Sequence, residues 1–325
     1  MSDDDWEVPS ALQPDPADYG FDLRAKLDAV VALKALVPPD AFSANSLGTE
    51  REGSAVLIDA KGLFLTIGYL VMESETIWLT ANNGRVVQGH CLAMDTDTGF
   101  ALVQSLGTLD GISPLEFGDS TALKANDAMV LGASGGISRA VAGQVASRQP
   151  FAGYWEYLLE DAVFTSPAHP HWGGTACLNM EGRLVGIGSL ILQQGERGGR
   201  RLDLNMVVPI QELTPILPAL LRQGRSDNPP RPWLGMLAVE EEEGVSVGSV
   251  TKGAPAEKAG LRTKDRILTV GQENVTDLVG LWRSIRALGN AGVPVPLRVE
   301  RNDRVLSLTP VSADRRNFLK QPRLH

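Results

Sequence analysis

Short β-type runs, each closed by turn residues, recur along most of this 325-residue chain and limit it to barrel or sandwich architectures. Ser54-Ala-Val-Leu-Ile-Asp59 and Leu63-Phe-Leu-Thr66 flank Ala60-Lys61-Gly62, which reads as a hairpin turn. Thr76-Ile-Trp-Leu-Thr80 and Arg85-Val-Val-Gln88 flank Asn82-Asn83-Gly84 in the same way. Phe100–Val103, Ala128–Leu131, Arg183–Ile187 and Leu204–Val208 continue the series. Helical spacing first appears after Pro209, where Ile210, Leu213, Ile216, Leu217, Leu220 and Leu221 share a face. Arg222 to Pro232 is polar, Pro-rich and without period, as a linker is. Beyond it, Gly244–Val250 and Val295–Val299 read as strands on either side of an amphipathic helix over Asp277–Leu288. The expected division is a flexible tail over 1–20, a β-rich domain over 21–222, a linker over 223–232, a small α+β domain over 233–313 and a tail over 314–325.

A chain of this length holds two cores more naturally than one. Its formal charge of −9 repels a phosphate backbone, and no basic block offsets it, so nucleic acid is excluded as a partner. The start, MSDDDWEVPS, lacks the basic and apolar segments of a secretory signal. The apolar stretch Ala29 to Val37 carries Lys34 and is too short for a bilayer. The expectation is a cytoplasmic protein without membrane contact, with Cys91 and Cys177 as structural thiols.

Several segments together resemble one family. Gly53-Ser-Ala-Val-Leu-Ile-Asp59 through Thr66 resembles the opening of the HtrA/DegP proteases, and Leu115-Glu-Phe-Gly-Asp-Ser-Thr-Ala-Leu123 resembles their "LPLGDSDAL". Asn179-Met-Glu-Gly-Arg-Leu-Val-Gly-Ile187 resembles "NLDGEVIGI". In the second domain, Arg231-Pro-Trp-Leu-Gly-Met236 and Gly253-Ala-Pro-Ala-Glu-Lys-Ala-Gly-Leu261 resemble the family's PDZ signatures. The resemblance runs in order from about residue 27 to 312. It implies a mainly β fold, a chymotrypsin-like double β-barrel followed by a small PDZ α+β domain.

The same resemblance places Tyr69 where the family has its general-base His, Gly99 where it has the orienting Asp, and Gly173 where it has the nucleophilic Ser. Shifting the last alignment by one residue substitutes Trp172, which also lacks a hydroxyl. Acyl transfer of this kind needs a nucleophile, a base and a carboxylate that orients the base. Glycine offers no nucleophile, and a phenol that titrates near about pH 10 is no base at neutral pH. His171 replaces the first Gly of the oxyanion loop, so a remodelled hole is expected. The expectation is therefore no enzyme: a pseudoprotease that binds peptides or proteins. The alternative is a serine-type endopeptidase with an unconventional site.

No second constellation suggests itself. His169 and His171 read as surface-loop histidines without an acidic neighbour, so no metal and no cofactor are expected. Thr175 lies beside them, and Cys177 reads as a buried small hydrophobe. His90 reads as a structural strand histidine, and Asp95 and Asp97 as turn formers. By resemblance to PDZ domains, Trp233, Leu234, Gly235 and Met236 form the loop that receives a peptide carboxylate, Leu237 begins the strand a peptide joins, and Leu281 lines the pocket. Partners are then C-terminal or extended peptides. The run Glu240–Glu243 near that groove reads as solvated, and Lys264 stands where the family has a turn glycine. The family resemblance also implies a homotrimer.

Overall fold

The computed structural model describes residues 6–197 and 200–320. They divide into two compact units: one of residues up to Gln149, Asp161–Asp227 and from Lys320, the other of Pro150–Glu160 and Asn228–Leu319. The first unit consists of two closed six-stranded antiparallel barrels. In the first barrel, β1 (Val30–Leu36), β2 (Glu50–Asp59), β3 (Leu63–Ile67), β4 (Thr76–Thr80), β5 (Val86–Met94) and β6 (Phe100–Ser105) close in the order β1-β2-β3-β6-β5-β4. In the second, β7 (Ala128–Gly132), β8 (Ala140–Gly153), β9 (Tyr157–Ser166), β10 (Ala176–Leu178), β11 (Leu184–Arg197) and β12 (Arg200–Pro209) close in the order β10-β11-β12-β9-β8-β7.

Side-chain alternation explains the barrels. Along β1, Leu33 and Ala35 are buried, while Lys34 points outward and pairs with Glu52 at 2.9 Å across the β1–β2 ladder. Every residue of β3 is buried, as a strand with a neighbour on each edge and apolar contacts on both faces should be. Leu65, Ile67, Phe100 and Leu102 share one buried face of the paired strands β3 and β6, and Phe64 is buried on the other; Met129, Leu131, Val141, Val163 and Cys177 form the core cluster of the second barrel. Each such side chain contributes about 1.5–3 kcal/mol by leaving water.

Three local expectations are corrected. The helix after Pro209 is not continuous: a 3-10 turn at Ile210–Glu212 is followed by an α-helix only at Leu217–Gln223. Pro215 and Pro218 withhold backbone N–H groups and bias the preceding residue away from the helical region, so apolar spacing overran what the backbone allows. Residues 6–20 do not form a loose tail either. They carry 3-10 turns at Ser10–Leu12 and Pro16–Asp18, and Val8 is buried with its N–H donating to the Ser138 carbonyl at 2.8 Å. At the other end, Lys320 donates its N–H to the Glu73 carboxylate at 2.6 Å; residues 1–5 and 321–325 lie outside the described residues.

The second unit contains a twisted sheet of β13 (Met236–Glu241), β14 (Gly244–Val250), β15 (Arg266–Val270), β17 (Leu297–Arg301) and β18 (Arg304–Leu308) in that order, with β16 (Glu273–Asn274) beside β15. The expected helix spans Leu278–Ala287, and the Asp277 carboxylate caps it by accepting the Gly280 N–H at 2.6 Å. Leu281, Trp282 and Ile285 lie on its buried face. Lys264 keeps the left-handed turn, φ 72°, that the family's glycine would make. Strand β13 is the sheet edge, and on its outer side the Ala238 N–H donates to the Tyr154 carbonyl at 2.8 Å. The tail 314–325 is corrected here too: Arg315–Phe318 forms a 3-10 turn, and the Phe318 ring packs 4.6 Å from that of Trp233.

Candidate functional site

Tyr69, Gly99 and Gly173 come from three different segments, and the fold of the first unit brings them together. Tyr69 sits in the one-turn helix Gly68–Val71 that follows β3. The N–H of Gly68 donates to the Gly99 carbonyl at 2.7 Å, which fixes that turn against the bend before β6. Gly99 lies at φ 83°, and the Asp95 carboxylate holds the bend by accepting from the N–H and hydroxyl of Thr98. The buried Arg51 guanidinium donates to the carbonyls of Tyr69 at 2.8 Å and Met72 at 2.9 Å, pinning the turn from below.

The Tyr69 phenol reaches across and donates to the Ser189 carbonyl at 2.7 Å. A Cβ on Gly173 would stand 2.8 Å from that hydroxyl, so the phenol fills the room a side chain at 173 would need. Burial pushes the phenol further up from its ordinary titration range, and it stays protonated at neutral pH. Removing it leaves a buried carbonyl without its donor. Tyr69→Phe is expected to cost about 1–3 kcal/mol, read as a lower thermal midpoint without loss of the folded circular-dichroism signature.

The loop from His169 to Gly174 is not a surface loop throughout. His171 is exposed, but His169 is fully buried. Its backbone exchanges two hydrogen bonds with the side chain of buried Asn205, at 2.6 and 3.1 Å. Its Nε2 lies 2.9 Å from the Arg139 carbonyl, so the proton is there, and Nδ1 accepts the His171 N–H at 3.1 Å. Burial lowers its pKa to about 4, which keeps the ring neutral. The His171 N–H, at the position of the family's oxyanion-loop glycine, is thereby directed into the protein. Trp6 packs on this loop, its ring 4.3 Å from that of His171. A cavity of about 400 Å³ beside it is lined by Trp6, Ala32, Asn82, Ser134, Ser138 and Arg139.

Thr175 donates to the Trp172 carbonyl, Cys177 is core, and burial pushes both thiols up, Cys91 to about 12. His90 is exposed on β5 and not a satisfied interior residue. Among the described residues, no group of three or more His, Cys, Asp or Glu is placed to hold a metal, and no helix is long and apolar enough to cross a membrane.

In the second unit the loop Trp233–Met236 leads into β13. Trp233, Leu234 and Met236 are buried, Leu237 is exposed, and Leu281 lies in the core behind the strand. Three successive backbone N–H groups converge on one point: Leu234 donates at 2.7 Å, Gly235 at 2.6 Å and Met236 at 2.9 Å, all to the carboxylate of Glu156. Gly235 is left-handed, φ 76°, and a Cβ there would lie 2.2 Å from that of Ala254, so only glycine closes this nest. The acidic run is tied down in part, since Glu240 accepts the Leu278 N–H at the helix start. Glu156 itself was missed by sequence reasoning. The available signal was the aromatic turn Phe151 to Tyr157 between two β runs.

The trypsin-like peptidase domain family matches residues 53–187, and the PDZ domain family matches residues 232–309. In carrying a trypsin-like peptidase domain followed by a PDZ domain, the chain is similar to HtrA/DegP-type proteases. It is 24% identical over 274 residues to a probable periplasmic serine endoprotease, DegP-like, of Chlamydia pneumoniae, and the match covers 79% of this chain. The chain spans about half of that relative's length, 54%. It is 23% identical over 311 residues to the serine endoprotease DegS of Salmonella typhimurium, covering 90% of this chain and 85% of DegS. A solved structure of the HtrA-type protease AlgW with tripeptide has the same fold, with TM-score 0.53 at 20% identity, covering 95% of this chain and 99% of that one.

Two expectations about this chain are corrected by those comparisons. It was expected to be no enzyme, yet the relatives are named serine endoproteases and the structural neighbour an HtrA-type protease, which points to a protease. It was expected in the cytoplasm, yet DegP-like relatives from Chlamydia pneumoniae and Halomonas elongata are named periplasmic. The absence of a signal-like start carried the second expectation, and the first rested on three side chains alone.

Proposed function

We propose that this chain receives the C-terminal carboxylate of polypeptides at the loop Trp233–Met236, and that it acts on polypeptides as an HtrA-family serine-type endopeptidase with an unconventional site. The observation that carries the recognition half is the convergence of the Leu234, Gly235 and Met236 N–H groups on a carboxylate. Beside such a nest, the outer edge of β13, where the Tyr154 carbonyl accepts the Ala238 N–H, takes an extended segment through main-chain hydrogen bonds, with Leu237 exposed on that strand and Leu281 in the core behind it. The hydrolytic half is supported by the trypsin-like match and by the relatives' names.

Within this reading Tyr69, Gly99 and Gly173 occupy the positions of base, orienting carboxylate and nucleophile, and none of them can take that role. In a subtilisin-type site, loss of the nucleophile alone lowers turnover by about 10⁶. Hydrolysis by this chain is therefore expected to be slow and to run through other side chains. Fluorophosphonate labelling with peptide mapping, alongside casein turnover, tests this. A serine or threonine label that tracks turnover is the expected result. Neither label nor turnover, with carboxylate-dependent peptide binding intact, would sink the endopeptidase half alone. Periplasmic residence belongs to the same proposal, as does assembly into a homotrimer, which light scattering checks.

A further inference from the structure

The hairpin between β8 and β9 ends in a three-residue turn, Tyr154-Trp155-Glu156. Glu156 closes it in the left-handed region, φ 63°. Turns of this length favour glycine or asparagine there, because a Cβ makes the conformation costly. The side chain accounts for the choice. Oε1 of Glu156 accepts the N–H groups of Gly235 and Met236, and Oε2 accepts that of Leu234. Two residues earlier, the Tyr154 carbonyl accepts the Ala238 N–H at 2.8 Å, so the turn also joins the open edge of β13.

The rest of the hairpin tip is held in the same place. The Trp282 indole donates to the Gly153 carbonyl at 2.9 Å, and Arg286 donates to that of Leu158 at 2.9 Å. Arg283 grips the Glu160 carboxylate, and the Leu158 side chain shares an apolar cluster with Met236, Leu281 and Ile285. A carboxylate in the nest and a carbonyl two residues back on the edge strand are the two contacts an extended peptide terminus would make.

We propose that Tyr154–Glu156 is a built-in ligand of this site, and that an outside polypeptide enters only when its free C-terminal carboxylate displaces the side chain of Glu156. The inference rests on the reading of Leu234–Met236 as a peptide-carboxylate site. A ligand tethered by its own chain competes at an effective concentration of order mM, so the free site is a small fraction of the total. Apparent affinity for an outside peptide falls by that fraction. The device holds weak ligands off and admits only termini that bind better than Glu156 does.

Two variants separate the charge from the side chain. Glu156→Gln keeps the size and a neutral acceptor, and so keeps the site occupied; Glu156→Gly removes the ligand and relieves the left-handed backbone, so loss of the hairpin fold does not confound it. Amide hydrogen exchange at Leu234, Gly235 and Met236 is measured first, with no ligand present. It is expected to speed up by about tenfold or more in Glu156→Gly, because buried N–H groups lose their acceptor. Binding is then measured by fluorescence anisotropy with a labelled decapeptide library of random C-termini, and with its C-amidated twin. Affinity for the free-carboxylate library is expected to rise by about tenfold or more in Glu156→Gly, with no gain in Glu156→Gln and none for the amidated library. Unchanged exchange overturns the built-in ligand, while carboxylate-dependent binding in the same samples would leave the site reading standing. Faster exchange with no carboxylate-dependent binding in any variant overturns the site reading and the proposal with it.

Discussion

Gly174→Ala is expected to lower the thermal midpoint of the barrel unit by about 10 °C or more, or to prevent its folding. Gly174 lies at φ 80°, where an L side chain is strained whatever room it has. It also has no room. A Cβ would stand 1.8 Å from the Ser54 carbonyl oxygen and 2.8 Å from its carbon, both backbone atoms of β2. Those atoms cannot retreat cheaply, because the Ser54 carbonyl accepts the Thr66 hydroxyl at 2.8 Å and its N–H donates to the Gly173 carbonyl at 2.8 Å. On the other side, the Gly174 N–H donates to the Gly188 carbonyl at 2.9 Å, so the loop cannot swing away without losing that bond. A cost above about 4 kcal/mol is the exceptional class that such double conflicts produce, and for a unit of this size it corresponds to the stated shift.

The neighbouring glycine supplies the control. At Gly173 the backbone is not left-handed, and a new Cβ conflicts with the far end of the Tyr69 side chain at 2.8 Å while meeting the Leu70 methyl groups at an ordinary 3.7 Å. Gly173→Ala is therefore expected to cost about 1–2 kcal/mol, with the phenol moving aside. Differential scanning calorimetry of both variants separates the two effects. Equal midpoints for Gly173→Ala and Gly174→Ala would show that the backbone clash has been misjudged. The pair also explains why this loop keeps two adjacent glycines for unrelated reasons. One admits the close approach of β2, and the other leaves space for a phenol.

The strands with the clearest turns were legible in the sequence: Thr76–Thr80 and Gly244–Val250 stand in the structure with the bounds their residues suggested. Periodicity and punctuation suffice where a strand is short and its hairpin tight. β8 and β9 were missed because Arg148, Gln149 and Pro150 interrupt the alternation in the middle of a 14-residue strand. The site divides in the same manner. Tyr69, Gly99 and Gly173 were assigned by resemblance alone; the structure sets Tyr69 beside Gly173 and Gly99 beside Gly68. Their mutual geometry follows from bonds such as Gly68 to Gly99, which no local pattern encodes. Glu156 was invisible for a sharper reason. Its function depends on a contact 78 to 80 residues away in sequence, and a glutamate in a turn is otherwise unremarkable. The continuous domain ranges missed it too, since the hairpin tip leaves the first unit's sequence range to join the second unit.

Peptide binding by the wild-type chain is expected to tighten as pH rises from 5 to 7.5, and the trend should vanish in Glu156→Gln. Burial of the Glu156 carboxylate, partly offset by the N–H groups of Leu234, Met236 and Gly235 and by Arg315, raises its pKa from 4.5 to about 7. The residue is half-buried, with the carboxylate at its enclosed end. A raised pKa means that the docked hairpin holds its proton more tightly than the released one. Docking is thus fully favoured below about pH 4.5, weakens through the interval, and has lost the whole contribution above about 7. Discounted for the solvent that reaches a half-buried residue, the shift lowers the docking constant by about tenfold between pH 5 and 7.5. The charges around the tip do not blur the signal. Arg315, Arg283 and Arg286 stay cationic, and Glu160, held low by its bond to Arg283, stays ionised. The incoming terminal carboxylate is more acidic in water, with a pKa of about 3.5, but meets the same burial in the nest, so its own binding offsets part of the trend. Anisotropy titrations at the two pH values should give a several-fold gain in wild-type affinity and no gain in Glu156→Gln. A flat wild-type response, or binding that weakens with rising pH, would mean that the protonation of Glu156 does not govern entry to the groove.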